Sequence, residues 1–198
     1  MKKIASDVAP SARRSRGCPI TTKSRWGVLF LVACKTSGGS PSPPPGQTAS
    51  EISVTSSFGS GAAIPVSSTC DGADTSPQLG WSAMPDKAKS IALIVDDPDA
   101  PKGTFTHWIM WNVKPDTRLI GANGNGGYSG GVAGTNDFDK VGWSGPCPPK
   151  GALHHYHFRV YGLDATLTLK PSDKRADLDH AMAGHVIAQG DLVGTFQH

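Results

Sequence analysis

The chain has 198 residues, 37% of them hydrophobic, with 24 glycines and 16 prolines. That length allows one domain with a real core plus a further segment, and so much Gly and Pro excludes an architecture of long helices in favour of many short strands. The formal charge of +3 is uneven: residues 1–33 carry seven of the 19 Lys and Arg against Asp7 alone, which leaves 12 basic and 15 acidic residues, a net of −3, in the rest. A mildly acidic body gives no reason to expect a nucleic-acid partner.

Residues 1–25 are basic and polar, without apolar periodicity. Residues 26–33, WGVLFLVA, form an apolar run far shorter than the roughly 20 residues of a spanning helix. Basic residues, a short apolar run and then small residues predict an export signal over residues 1–33. The run ends Leu31-Val32-Ala33-Cys34. This resembles the lipobox of bacterial lipoproteins, which implies lipidation of Cys34 and a membrane anchor at the mature N-terminus. Residues 34–50 are then a linker: the Ser/Gly/Pro stretch KTSGGSPSPPPGQTAS cannot bury apolar surface, and a tethered domain needs reach. The expected location is the bacterial cell envelope, lipid-anchored and facing the periplasm. Cleavage by an ordinary signal peptidase would instead leave a soluble periplasmic or secreted protein.

The folded domain is expected over residues 51–198. Ile52, Val54 and Phe58 trace a first strand, and residues 59–80 are loop-rich. Residues 91–95, IALIV, read as a strand buried on both faces. In the next strand, 106–113, period 2 puts His107, Ile109, Trp111 and Val113 on one face and Thr106, Trp108, Met110 and Asn112 on the other. Residues 121–136 are almost all turn formers and predict a long surface loop. Along 154–161, His154, Tyr156, Phe158 and Val160 share a face, with His155, His157 and Arg159 opposite. Leu167 and Leu169 make one more short strand. A helix comes next over about 174–188, capped by Asp173 and ended by Gly190, with Leu178, Ala181, Met182 and His185 along its buried stripe. Residues 191–196, DLVGTF, form a last strand.

Two proline-stiffened loops stand out. Asp96-Asp97-Pro98-Asp99-Ala100-Pro101 interrupts the chain between the strand at 91–95 and His107, and VGWSGPCPPKG (141–151) leads into His154. Proline fixes φ and removes an N–H donor, so neither loop continues a helix or a central strand. A stiff loop that holds carboxylates beside a strand histidine marks a candidate site. Spacing alone leaves a merely solvated acidic turn as an equal explanation.

Taken together, DPDAP before a strand opening His107-Trp108, and GPCPPKG before His154-His155-Tyr156, resemble the phosphatidylethanolamine-binding protein family, in particular its bacterial, Raf-kinase-inhibitor-like branch. Cys70-Asp71-Gly72 with Ser76-Pro77 and Trp81, the GTNDF segment from Gly134 and the ending GHVIAQGDLVGTF fit the same pattern in order, over roughly residues 52–197. The resemblance implies a mainly β protein, an antiparallel β-sandwich with a few peripheral helices, one of them near the C-terminus. It also implies a non-enzymatic pocket for a small anion or phospholipid headgroup, built by Asp97, Pro101, His107, the Gly145–Pro149 turn with Cys147 and Pro148, His154 and Tyr156. His155 stands where Arg is common in the family, on the outer face. An acid beside a histidine raises its pKa and fixes its tautomer, and Asp97 is the expected partner of His107. The acidic loop would repel an anion unless Asp97 is paired. Cys70 and Cys147 are the two cysteines of the body; the resemblance puts their loops near the pocket mouth, where a disulfide is open to them in an exported domain.

Other readings are weaker. His107, His154 and Asp97 offer a two-histidine, one-carboxylate metal set, but the resemblance implies neither metal nor cofactor. No G-x-S-x-G elbow is present, Ser144 reads as a turn hydroxyl, and Cys147 sits on a stiff turn without evident activation. The alternative function is a protein-interaction or inhibitor module, since fold does not fix function.

Overall fold

The computed structural model describes residues 48–123 and 131–198. The predicted export signal, Cys34 and most of the linker lie outside them, as does the middle of the 121–136 loop. In chain order the elements are β1 (Ser50–Glu51), β2 (Val54–Ser56), β3 (Leu79–Trp81), β4 (Ser90–Asp97), β5 (Phe105–Val113), β6 (Leu119–Ile120), β7 (Val132–Ala133), β8 (Leu153–Leu163), α1 (Arg175–Met182) and β9 (Val186–Gln197).

The apolar run of β4 is buried along its whole length because strands flank it and a layer covers each face. The main sheet has the order β1-β9-β8-β4-β5-β7, and a second sheet the order β2-β3-β6. All pairings between these strands are antiparallel except β1 with β9. One core packs Leu79, Trp81 and Ile120 of the small sheet against Leu93, Val95, Met110, Phe158 and Val160 of the large one. The other face of the main sheet carries Ile94, Ile109, Trp111 and Tyr161, covered by Leu178 and Met182 of α1. Among the described residues no helix is long and apolar enough to cross a membrane.

Several expectations need correction. The first strand is two: β1 joins the main sheet and β2 the small one, with the chain crossing between sheets at Ile52. The helix ends at Met182, not near 188, because Gly184 turns the chain at φ 81, a conformation that suits glycine. Val186 and Ala188 then bury at period 2 within β9, and Gly190 lies mid-strand. The cap is Lys174, whose N–H donates to Asp177 at 3.0 Å, while Asp173 accepts from Lys170 N–H. His185 falls beyond the helix and is exposed, its Nδ1 donating to Asp164 at 2.8 Å. Leu167 and Leu169 form no strand: the Asn112 side chain accepts from Leu167 N–H and donates to its carbonyl, both at 2.8 Å, and so takes the groups a strand would use. Asn112 has φ 57 and marks a bulge, Val113 opposing Ile91 and Met110 opposing Leu93. Val113 consequently packs with Trp108 and Met110, not with Ile109 and Trp111.

Candidate binding site

β4 runs on past the expected break to end in Asp96 and Asp97, and the loop that follows adds Asp99; each of the three carboxylates meets a different partner. Asp96 points to the helix side of the sheet, where it pairs with Arg159 and Arg175. Asp99 accepts from the N–H and Nδ1–H of His155 at 2.9 and 2.7 Å, and this contact holds its carboxyl below the usual range. Asp97, on the sandwich side and buried, accepts from His154 Nδ1–H at 2.7 Å and from Asp99 N–H at 2.9 Å. Asp97 is thus paired, but with His154 and not with His107 as expected. The cross-strand register, which the sequence does not display, sets that choice. With Nδ1 given to the carboxylate, Nε2 is the His154 nitrogen left to meet a ligand.

His107 reaches the same face through a second bulge. Val95 opposes Trp108 and Asp96 opposes Thr106, so His107 is the extra residue. Strict alternation would send it with Ile109 and Trp111 to the helix side; the bulge re-aims it to stand edge-on to Tyr156, with ring centroids 5.3 Å apart. Its Nδ1–H donates to the Ser144 carbonyl at 2.7 Å. Burial pushes its pKa below the ordinary value of 6.5, opposed by the Ser144 and Gly145 carbonyls and the Asp97 charge. Asn136, fully buried, fixes this wall: its amide donates to the His107 and Gly142 carbonyls and to Ser144 Oγ, and it accepts from Phe138 and Lys140 N–H.

Between these groups lies a cavity of about 170 Å³. Asp97, Pro101, His107, Cys147, Pro148, His154 and Tyr156 all line it, together with Ala100, Phe105, Phe138 and Pro149. Gly145 lies behind the wall. Its N–H donates to Asp74 at 2.6 Å, and a Cβ there would come within 2.4 Å of the Ser68 carbonyl. Sequence reasoning missed Phe105, Phe138, Asp74 and Asn136. Phe138 and Asn136 stand in the GTNDF segment, which offered a motif but no direction. The feature most in need of a ligand is Tyr156. Its hydroxyl is buried without a hydrogen-bond partner among the described residues, and burial with the Asp97 and Asp99 charges pushes its pKa up, so it stays a donor. Cys70 and Cys147 are joined by a disulfide that ties the 66–76 loop to the cavity turn. A wider depression of about 440 Å³, lined by Glu51, Arg159, Tyr161 and Asp191 among others, lies elsewhere; its Arg159 and Asp191 are already paired, with Asp96 and His157.

Fold and cavity define a mainly β protein with a small preformed pocket at one end of its central strands. The chain belongs to the phosphatidylethanolamine-binding protein family, whose pattern it matches over residues 54–197. It is 46% identical over 157 residues to a UPF0098 protein of Pyrococcus horikoshii, covering 77% of this chain and 79% of that one. A Mycobacterium tuberculosis protein named as a candidate lipoprotein, LppC, is 35% identical over 196 residues, 90% of this chain and 96% of that one. Among solved structures, E. coli YbcL, described as a member of the mammalian family, superposes with a TM-score of 0.71 at 31% identity, covering 75% of this chain and 99% of that one. A Chlamydia trachomatis homologue gives 0.70 at 35%, covering 76% and 99%.

Proposed function

We propose that this protein is an exported, membrane-tethered binding protein whose cavity takes a phosphate-like anion, free or in a phospholipid headgroup, without turning it over. The observation that carries this reading is the buried Tyr156 hydroxyl, which has no partner among the described residues, beside two histidines whose Nδ1 atoms are already fixed. A buried hydroxyl without a partner costs about 1–3 kcal/mol, which an accepting ligand oxygen recovers. The cavity is small beside ordinary ligand pockets of about 300–1,000 Å³, which suits a headgroup. Asp97 accepts from His154 Nδ1–H and Asp99 N–H, and these donors offset part of the repulsion its carboxylate would exert on an anion.

Titration calorimetry with phosphoethanolamine tests this. His107→Ala and His154→Ala each remove a charge-assisted contact worth about 1.5–3 kcal/mol, so affinity falls roughly 10- to 150-fold. His157→Ala, on the outer face, leaves it unchanged. Tyr156→Phe weakens binding roughly 2- to 13-fold yet leaves the free protein at least as stable as before, since it removes a buried hydroxyl that has no hydrogen-bond partner among the described residues. A site elsewhere would show as unchanged affinity in both histidine variants, or as a larger loss from His157→Ala.

The pH dependence comes from His107. Its pKa lies below 6.5 in the free protein, so the ring is neutral above that pH. An anion stabilises the protonated ring, and binding takes up a proton. Affinity therefore rises as pH falls, by up to about tenfold per unit while the free ring is still neutral. Sulfate, whose charge is constant over this range, is the probe; equal affinity at about pH 5.5 and about pH 7.5 would contradict proton-linked binding.

The tether is tested at Cys34. Stable anchoring needs two or more acyl chains, which the lipoprotein pathway supplies. Cys34→Ala moves the domain to the soluble periplasmic fraction or leaves it unprocessed; fractionation and mobility like the parent's would refute the anchor.

A further inference from the structure

The Cys70–Cys147 pair has a neighbour that the anion reading does not use. His198 Nδ1 lies 3.5 Å from Cys70 Sγ and 3.2 Å from Asp71 Oδ1. Both sulfurs and Nδ1 fall within 4.8 Å of one another, and both cysteines are exposed. His198 is held in place: its carbonyl accepts from Gly151 N–H and the preceding Gln197 amide donates to the Gly151 carbonyl, each at 3.1 Å. The two cysteine loops are also joined without the disulfide. Cys70 N–H donates to the Pro146 carbonyl at 3.1 Å and Gly145 N–H to Asp74 at 2.6 Å. Breaking the sulfur–sulfur bond therefore leaves two thiols side by side, next to an imidazole and a carboxylate.

We infer that the reduced protein carries a site for a thiophilic divalent cation of the zinc type, with Cys70, Cys147, His198 and Asp71 as its four ligands. Two sulfurs, one imidazole and one carboxylate are a donor set that zinc takes tetrahedrally. Zinc sits about 2.3 Å from sulfur and about 2.0–2.1 Å from nitrogen, so its ligand atoms stand about 3.3–3.8 Å apart. The contacts of His198 with Cys70 and Asp71 are already at about that spacing. The sulfurs must separate and the Asp71 carboxylate must turn in toward them, and rotation about side-chain bonds does both once the sulfurs are unlinked. A dithiol or phosphine reductant delivers two electrons and two protons to the disulfide and is itself oxidised, giving two thiols. The cation then displaces both thiol protons and is held by the two thiolates. Reoxidation by a disulfide acceptor withdraws two electrons, restores the Cys70–Cys147 bond and releases the cation. The protein thus alternates between a closed disulfide and an open metal site at the edge of the anion cavity, which Cys147 also lines.

The experiment uses the purified full chain, reduced with a thiol-free phosphine, freed of it without air and titrated with cobalt(II). The reduced protein gives thiolate-to-cobalt charge-transfer absorption and the strong visible bands of a tetrahedral site, saturating at one equivalent and bleached by zinc; the oxidised protein gives neither. His198→Ala keeps its thiol count and its fold but binds cobalt at least about tenfold more weakly. The proposal is overturned if the folded, reduced chain shows no such absorption, if the oxidised chain binds as well, or if His198→Ala binds unchanged. A reduced chain that unfolds also overturns it, because the loops then do not hold the thiols together.

Discussion

Reduction of the Cys70–Cys147 bond lowers the unfolding free energy by about 4–5 kcal/mol, on the chain-entropy relation for a closed loop of this size. The bond spans 77 residues, from the loop ahead of β3 to the turn ahead of β8, so it removes much of the freedom of the unfolded chain. A domain of this size has about 5–15 kcal/mol to lose. The reduced protein is thus expected to remain folded at room temperature and to melt well below the oxidised form. Urea titrations of both forms measure the difference as a shift of midpoint; Cys70→Ser gives the same shift without reductant. A change below about 1 kcal/mol would mean that the unfolded chain is already constrained between these loops, or that the bond strains the native state.

Features that lie along one strand were legible in the sequence; those that depend on how strands meet were not. The unbroken apolar run of β4 predicted a strand covered on both faces, and it is buried throughout. The alternation in β8 predicted the inward face of His154, Tyr156, Phe158 and Val160, and all four are buried. The two proline loops are local signals, and they marked residues that do line one cavity. The bulges were invisible. One extra residue at His107 and another near Asn112 reverse the face of the neighbouring strand residues without leaving a mark in composition. The same cause hid the partner of Asp97, since choosing between His107 and His154 needs the register of β4 against both neighbours. Phe105 and Phe138 close the cavity from segments 33 residues apart, with rings 4.7 Å apart edge-to-face, a meeting only the folded chain defines. The predicted helix is too long because Gly184 and Gly190 are equally good stops in sequence, and burial at period 2 from Val186 onward decides between them.

Asp96→Ala is expected to destabilise the domain by about 3–5 kcal/mol, the cost of removing one partner from a buried ion pair. Asp96 is 1% exposed at the end of β4, and its carboxylate takes both Arg159 of β8 and Arg175 of α1, the latter at 2.6 Å. Arg175 also pairs with Asp179 one helical turn on, at 2.8 Å. Without Asp96, two guanidiniums remain beneath the helix with one partly buried carboxylate between them. Asp99→Ala is the control: its pair with His155 is exposed on both sides, and such pairs contribute about 0–1 kcal/mol. The contrast has a functional side. Successive residues of one strand end face opposite ways, Asp96 to the helix layer and Asp97 to the cavity, so the ion cluster that fastens α1 also fixes the backbone that presents Asp97 to His154. Asp96→Ala should therefore weaken anion binding as well, though less than His154→Ala, because Asp97 and His154 still hold each other. Denaturant unfolding and calorimetry on the same preparations decide it. If Asp96→Ala proves no more costly than Asp99→Ala, the cluster beneath α1 is not what secures that end of the sheet.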